Sequence, residues 1–387
     1  MPLLRNWRKK RVTKSNDKKV PALRFKGFTD DWEQRKFNKI ANKIGATSSA
    51  KIPNVSYDDI LSKRGVLNKK ISKLSTGKKG IKFKENDILF GKLRPYLKNY
   101  LLADFSGIAI GDFWVLRPLE SPDFLFYLIQ SQKFTYISNI SSGSKMPRSD
   151  WKLVSSFHFD IPKINEQIGI GKVLKLLDKL ISLQQRKLKL FDQLRKTLLE
   201  YLISEQKIPI VRFNSFRKEW KVFRLQNLII KTTKGKAKAD MVGNRSIYLD
   251  TAYLNGGALS TVDAPTDVYK DDIVILWDGS LAGKVYHGFS GALGSTLKSF
   301  TPKYSGEYLF QYLQRSQEKI FKNYRTPNIP HVVKDFITIF KVNAPSLEEQ
   351  NKISTILESI DLLIDNQNTK IKKWKKIKEH LLQKMFI

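Results

Sequence analysis

Two stretches of this chain repeat one another, in order, at a separation of about 185 residues, so the 387 residues must build two copies of one fold rather than a single core. Val20-Pro21-Ala22-Leu23-Arg24-Phe25 returns as Ile208-Pro209-Ile210-Val211-Arg212-Phe213. Phe28, Trp32 and Phe37 return as Phe216, Trp220 and Leu225, and Asn86-Asp87-Ile88-Leu89 as Asp271-Asp272-Ile273-Val274. Phe105-Ser106-Gly107 returns as Phe289-Ser290-Gly291. Ser121 and Ser305 each precede an apolar run with an acid close behind, the pattern of a capped helix start. Pro162, Glu166 and Gln167 match Pro345, Glu349 and Gln350.

Each half reads as a mixed domain followed by one long helix. β-rich runs over Asp87 to Phe90, Asp272 to Leu276 and Phe113 to Leu116 predict short strands between Gly, Ser and Asn turns. From Leu174 the series Leu174, Leu177, Ile181, Gln184, Leu188, Phe191, Arg195, Leu198, Leu202 alternates three- and four-residue steps, the seam of a coiled coil. The second half gives Leu357, Ile360, Ile364, Gln367, Ile371, Trp374, Lys378, Leu381, Met385 in the same phase. Parallel pairing would oppose Arg195 to Lys378, a like-charge contact. Antiparallel pairing instead sets Gln184 against Lys378 and Arg195 against Gln367, with apolar layers such as Leu188 with Trp374, Phe191 with Ile371 and Ile181 with Leu381. The alternative is that each helix packs on its own domain.

The expected fold is therefore α+β, two similar mixed α/β domains separated by two long helices in an antiparallel coiled coil with a pseudo-twofold repeat. The expected boundaries are a basic arm at 1–19, a first domain at 20–165, a first spacer helix at 166–206, a second domain at 207–348 and a second spacer helix at 349–387. A seam of about 29 residues at 1.5 Å per residue spans roughly 43 Å, or about 13 base pairs.

Charge selects the partner. Lys and Arg number 70 against 36 Asp and Glu, a net charge of +34, which points to a polyanion and first of all to nucleic acid. The arm Met1 to Lys19 lacks an apolar core and no run of about 18 apolar residues follows, so neither a signal peptide nor a membrane span is expected. The absence of cysteine removes disulfides and thiolate metal sites and fits a reducing cytosol. His158, His287, His331 and His380 show no metal-ligand spacing.

The strings Arg24-Phe25-Lys26-Gly27-Phe28-Thr29-Asp30-Asp31-Trp32-Glu33-Gln34-Arg35, Gly143-Ser144-Lys145-Met146-Pro147-Arg148, Glu166-Gln167 and Gln185-Arg186-Lys187-Leu188 resemble the specificity subunits of type I restriction-modification systems, over essentially all of Val20 to Ile387. The second half departs from that pattern at Arg212-Phe213-Asn214-Ser215-Phe216 and at Ile329-Pro330-His331. The resemblance implies two target-recognition domains on double-stranded DNA, each reading one half of an asymmetric bipartite target. It also implies two docked methyltransferase subunits and endonuclease/translocase subunits. S-adenosylmethionine, ATP and Mg²⁺ would then sit on those partners and not on this chain, whose place would be the cytoplasm, associated with the nucleoid.

Lys92, Arg94, Tyr96 and Lys98 place bases and an aromatic in a turn after a strand, suited to phosphate clamping and guanine contact. Ser144, Lys145 and Arg148 form a second such loop. In the second domain Lys234, Lys236, Arg245, Asp278, Ser280, Lys284, Arg325, Asn328 and His331 are expected in comparable loops, with Asn328 suited to adenine. Phe25, Phe28, Trp32, Phe213, Phe216 and Trp220 read as core anchors. No Asn/Asp-Pro-Pro-Tyr/Phe clamp and no phosphate loop occurs, so the chain is expected not to be an enzyme. Two other readings stand beside this one: a basic RNA-binding scaffold, and a metal-dependent nuclease built on Asp123, Asp150 and Lys152.

Overall fold

A computed structural model describes residues 20–140 and 146–387. They form two compact units, one of the described residues up to Gln185 together with Lys370–Ile387, the other of Arg186–Thr369. Each long helix therefore contributes to both units: the first runs from Ile164 to Leu202 and the second from Leu347 to Lys384. They begin two residues before the expected starts, and the first ends at Leu202 rather than at 206.

The first unit centres on a four-stranded antiparallel sheet in the order Ala41–Ile44, Phe113–Pro118, Ile88–Gly91, Tyr100–Leu102. A second four-stranded sheet, Thr47–Ser48, Gly80–Phe83, Gly107–Ala109, Asn54–Val55, packs beyond it and includes one parallel pair. Glu33–Lys36 pairs with His158–Ile161 just before the first long helix. The helices Pro122–Leu128 and Gln132–Asn139 cover the sheet. The core holds Trp32, Phe37, Phe90, Trp114, Phe124, Phe134 and Phe159, with the Phe90 and Trp114 rings stacked 5.5 Å apart.

The second unit repeats this plan. Its sheet runs Ile229–Lys234, Leu297–Pro302, Ile273–Leu276, Val285–Tyr286, and Lys221–Arg224 pairs with Lys341–Ala344 before the second long helix. Ser121 Oγ accepts from the Phe124 amide at 3.2 Å and Ser305 Oγ from the Tyr308 amide at 3.1 Å, so both expected helix caps are present. Trp32 and Trp220 are buried in the two cores and Phe25 and Phe213 pack against them, as anchors, while Phe28 and Phe216 are half-buried.

Asp87 and Asp272, expected to open the strands, stand one residue before them. Each folds its carboxylate back onto the amide three residues earlier, Lys84 or Tyr269, at 2.9 Å. An acid at that place satisfies a turn donor, which a strand residue could not do.

Every expected seam position is buried or half-buried, and the pairing is antiparallel. The seam bases pair with two acids that the expected pairing does not name. In the first unit Lys378 Nζ lies 2.7 Å from Asp178 Oδ1, where Gln184 had been expected to face it. In the second unit Arg195 bonds Asp361 through Nε and Nη2, where Gln367 had been expected, and its Nη2 also reaches Gln314 at 2.7 Å. A carboxylate beside the seam competes better for a cation than an amide within it, because the charge-assisted bond is the stronger. Each acid follows a seam residue by one position, so a list of seam positions alone passes over it.

Candidate nucleic-acid interface

The strand Ile88–Gly91 delivers its chain into a tip where two distant loops meet. Leu93 and Arg148 form a bridge, with Arg94 N donating to Pro147 O at 2.8 Å and Ser149 N to Lys92 O at 2.8 Å. Lys92 N donates to Asp112 O at 2.9 Å, which ties in a third segment. The two basic loops singled out in the sequence are thus one structure, although Ser144 and Lys145 lie outside the described residues.

At this tip Arg94, Tyr96 and Arg148 are exposed and Lys92 and Lys98 half-exposed. Arg94 and Lys98 both take left-handed backbone, with φ of 49° and 57°. Their conformation closes a single turn of helix over Pro95–Leu97, which turns the loop back toward the sheet. The Asp112 carboxylate lies between two of the bases, 3.1 Å from Arg148 Nη2 and 3.4 Å from Lys92 Nζ. Partial burial works against its charge, but the hydrogen bond and charge of Arg148 with the charge of Lys92 outweigh it, and its pKa is held below the ordinary aspartate value. Tyr57 Oη donates to Asp112 O at 2.7 Å and accepts from Leu93 N at 3.1 Å, and burial pushes its hydroxyl up to about 12.

The second unit builds the same lattice from other side chains. Asp278 and His331 form the bridge, Gly279 N donates to Pro330 O at 2.9 Å, Val332 N to Trp277 O at 2.9 Å, and Trp277 N to Thr296 O at 2.8 Å. Backbone for backbone, Lys92, Arg94, Asp112 and Arg148 correspond to Trp277, Gly279, Thr296 and His331. Lys298 Nζ stands 3.3 Å over the Trp277 ring, a cation–π contact. Burial and then the nearby Lys234 lower its pKa.

Four of the second domain's expected contact residues stand elsewhere or are already engaged. Lys234 and Arg245 lie in strands, Ile229–Lys234 and Val242–Leu249, both exposed, because the β-rich residues around them extend the sheet where a loop had been expected. Arg325 donates to Phe321 O at 2.9 Å and Ser280 O at 3.1 Å, so its guanidinium ties the tip together from behind. Lys284 Nζ bonds Asn255 and lies 5.2 Å over the Tyr286 ring. Asp278, Ser280 and Asn328 are exposed at or beside the bridge, His331 is half-exposed with Nδ1 3.0 Å from Thr326 Oγ1, and Lys236 is exposed.

Asp112, Tyr57, Thr296 and Lys298 escaped the sequence reading. The basic strings point to the loops, whereas these residues stand well away in sequence: Asp112 and Thr296 in turns before strands, Tyr57 in a single helical turn and Lys298 in a strand. The turn signal of Gly111-Asp112 before a strand could have flagged the first.

The acids of the nuclease reading have structural work. Asp150 caps the helix Trp151–Ser156 by accepting from Lys152 N at 2.8 Å, and Asp123 in a helix first turn pairs with Lys175 at 3.0 Å.

A tip built twice on a basic two-unit chain defines a protein with a pair of recognition domains. The family model described as type I restriction modification DNA specificity domain matches residues 29–190 and again 217–376. The chain belongs to that family and carries the domain twice. It is similar to the type I restriction enzyme MjaVIII specificity subunit of Methanocaldococcus jannaschii, 35% identical over 179 residues, 43% of this chain and 42% of the relative. To the EcoDI specificity subunit of Escherichia coli it is 28% identical over 96 residues, 24% of this chain and 22% of the relative. The aligned stretches thus span less than half the length of these curated relatives. Its fold is like that of the type I restriction-modification S subunit from M. genitalium, with TM-score 0.64 at 17% identity, covering 95% of this chain and 99% of that one. A second structure, described under complex assembly and conformational transition of a type I system, gives TM-score 0.58 at 16% identity, covering 91% and 96%. Among the described residues no helix is long and apolar enough to cross a membrane.

Proposed function

We propose that this chain gives a type I restriction-modification complex its DNA sequence, each unit reading one half of an asymmetric bipartite target. The observation that carries this reading is the shared backbone lattice with unlike side chains: Lys92, Arg94 and Arg148 on one tip, Trp277, Gly279 and His331 on the other. Two copies of one frame place two readers in equivalent poses, and different side chains on them read different bases. The chain itself catalyses nothing in this reading. Two methyltransferase subunits supply the S-adenosylmethionine chemistry, endonuclease/translocase subunits supply the ATP- and Mg²⁺-dependent steps, and the assembly works on cytoplasmic, nucleoid DNA.

The test exchanges the segment Val20 to Asp160 for that of a relative and sequences the methylated positions of host DNA. One half of the modified target changes and the other stays. A swap that alters both halves, or neither, overturns independent reading by the two units.

A further inference from the structure

We infer that Asp112 is a positioning residue that presents Arg148 edge-on to a guanine of the first half-site, an inference that rests on this unit reading duplex DNA. The carboxylate divides its two oxygens between two bases, Oδ2 toward Arg148 Nη2 at 3.1 Å and Oδ1 toward Lys92 Nζ at 3.4 Å. One nitrogen of the guanidinium, Nη2, is thereby held, and the side chain remains 51% exposed. A guanidinium has five donors in a rigid fork, so one nitrogen engaged by a carboxylate leaves donors for a bidentate contact with guanine O6 and N7.

The anchor is itself fixed. Asp112 O receives the Tyr57 hydroxyl at 2.7 Å and the Lys92 amide at 2.9 Å, and the Tyr57 ring lies edge-on to Phe113 at 4.6 Å. The backbone that carries the carboxylate is thus fixed by the half-buried Tyr57 and the buried Phe113 at the start of the central strand Phe113–Pro118. Holding a long, rotamer-rich side chain in advance removes part of the entropy that a specific contact would otherwise lose. A negative charge between two bases also weakens indiscriminate attraction to phosphate, which sharpens the difference between a right and a wrong base. The second unit provides the internal control, because Thr296 and His331 stand at the equivalent places and form no carboxylate–guanidinium pair.

The experiment uses the full chain purified with its methyltransferase subunit and a randomised duplex pool, with sequencing of the retained fraction. The wild type should enrich a two-part motif. If it enriches none, the proposed DNA reading fails and the inference with it. Asp112→Asn keeps the shape and the backbone contacts. It should lower the preference for guanine at one position of one half-site by about tenfold or more, leave the other half intact, and bind random duplex as tightly or more tightly. Arg148→Lys, which keeps the charge and loses the fork, should flatten that same position. An unchanged motif in Asp112→Asn, with the wild-type motif present, refutes the positioning role. So does uniform loss across both halves accompanied by a lower melting temperature, since that is the signature of a merely structural residue.

Discussion

Arg212 grips Glu349 through two parallel bonds, Nε to Oε1 at 2.7 Å and Nη2 to Oε2 at 2.8 Å, and the glutamate side chain is 1% exposed. Arg24 holds Glu166 with the same atoms at the same distances. In each unit this pair ties the entry segment to the first turn of a long helix, where the following glutamine, Gln167 or Gln350, donates to a proline carbonyl at 2.9 or 3.0 Å. Arg212→Ala leaves a buried carboxylate without its cation and should cost about 3 kcal/mol or more in denaturant unfolding. The pair Arg212→Met with Glu349→Leu should cost less than the single variant. A double variant worse than the single one would show that the pair is not the reason for the loss.

Arg94 holds φ at 49°, whereas the equivalent Gly279 sits at 115°. Left-handed backbone disfavours any residue with a Cβ by roughly 1–2 kcal/mol, partly offset by the extra freedom of an unfolded glycine. Arg94→Gly should therefore be more stable than Arg94→Ala by about 1 kcal/mol, while both remove the same guanidinium. Thermal melting of both variants decides it, and equal stabilities would mean that the loop relaxes out of this conformation.

The seam bases should couple to their acids. A double-mutant cycle on Lys378 and Asp178, and another on Arg195 and Asp361, should each give about 1 kcal/mol of interaction energy, limited by partial exposure. Raising salt should shrink both only modestly, since the cations are mostly buried against the helices. Couplings near zero would return the seam to the glutamine pairing that periodicity suggests.

His287 lies 3.0 Å from Glu307 through Nδ1, 3.8 Å from Asp271 through Nε2, and stacks on Phe310. Burial alone would lower its pKa, but the hydrogen bond and charge of Glu307 and the charge of Asp271 raise it above the ordinary 6.5. A histidine that holds its proton more tightly when folded contributes fully below about 6.5, and that contribution is lost as pH rises through the raised folded value. Glu307 behaves oppositely. Burial works against its charge, yet His287 and Gln311 hold its pKa below the ordinary 4.5, so its contribution is present above 4.5 and lost as pH falls through the folded value. The stability of the wild type to urea should fall, relative to His287→Gln, as pH rises from about 6.5 through the raised folded value. A constant difference between the two proteins over that range would exclude the charged pair.

The sequence by itself determined what depends on short spacing and on repetition. The seam face from Leu174 to Leu202 and from Leu357 to Met385 and the caps at Ser121 and Ser305 follow from patterns within a few turns of one element, and the duplication and the anchors Trp32 and Trp220 from repetition at a distance of about 185 residues. Helical and strand periods set by backbone geometry make those patterns local. Tertiary structure alone decided the partners. Asp112 reaches Arg148 across 36 positions and Arg195 reaches Asp361 across 166, and no local rule ranks one acid above another at such separations. Arg325 shows the same limit, for a guanidinium in a basic loop reads as a ligand contact, and only the fold bonds two of its nitrogens to Phe321 O and Ser280 O. A side chain's choice between solvent, partner and ligand is made by whatever the folded chain brings within about 3 Å of it, and the fold sets those distances.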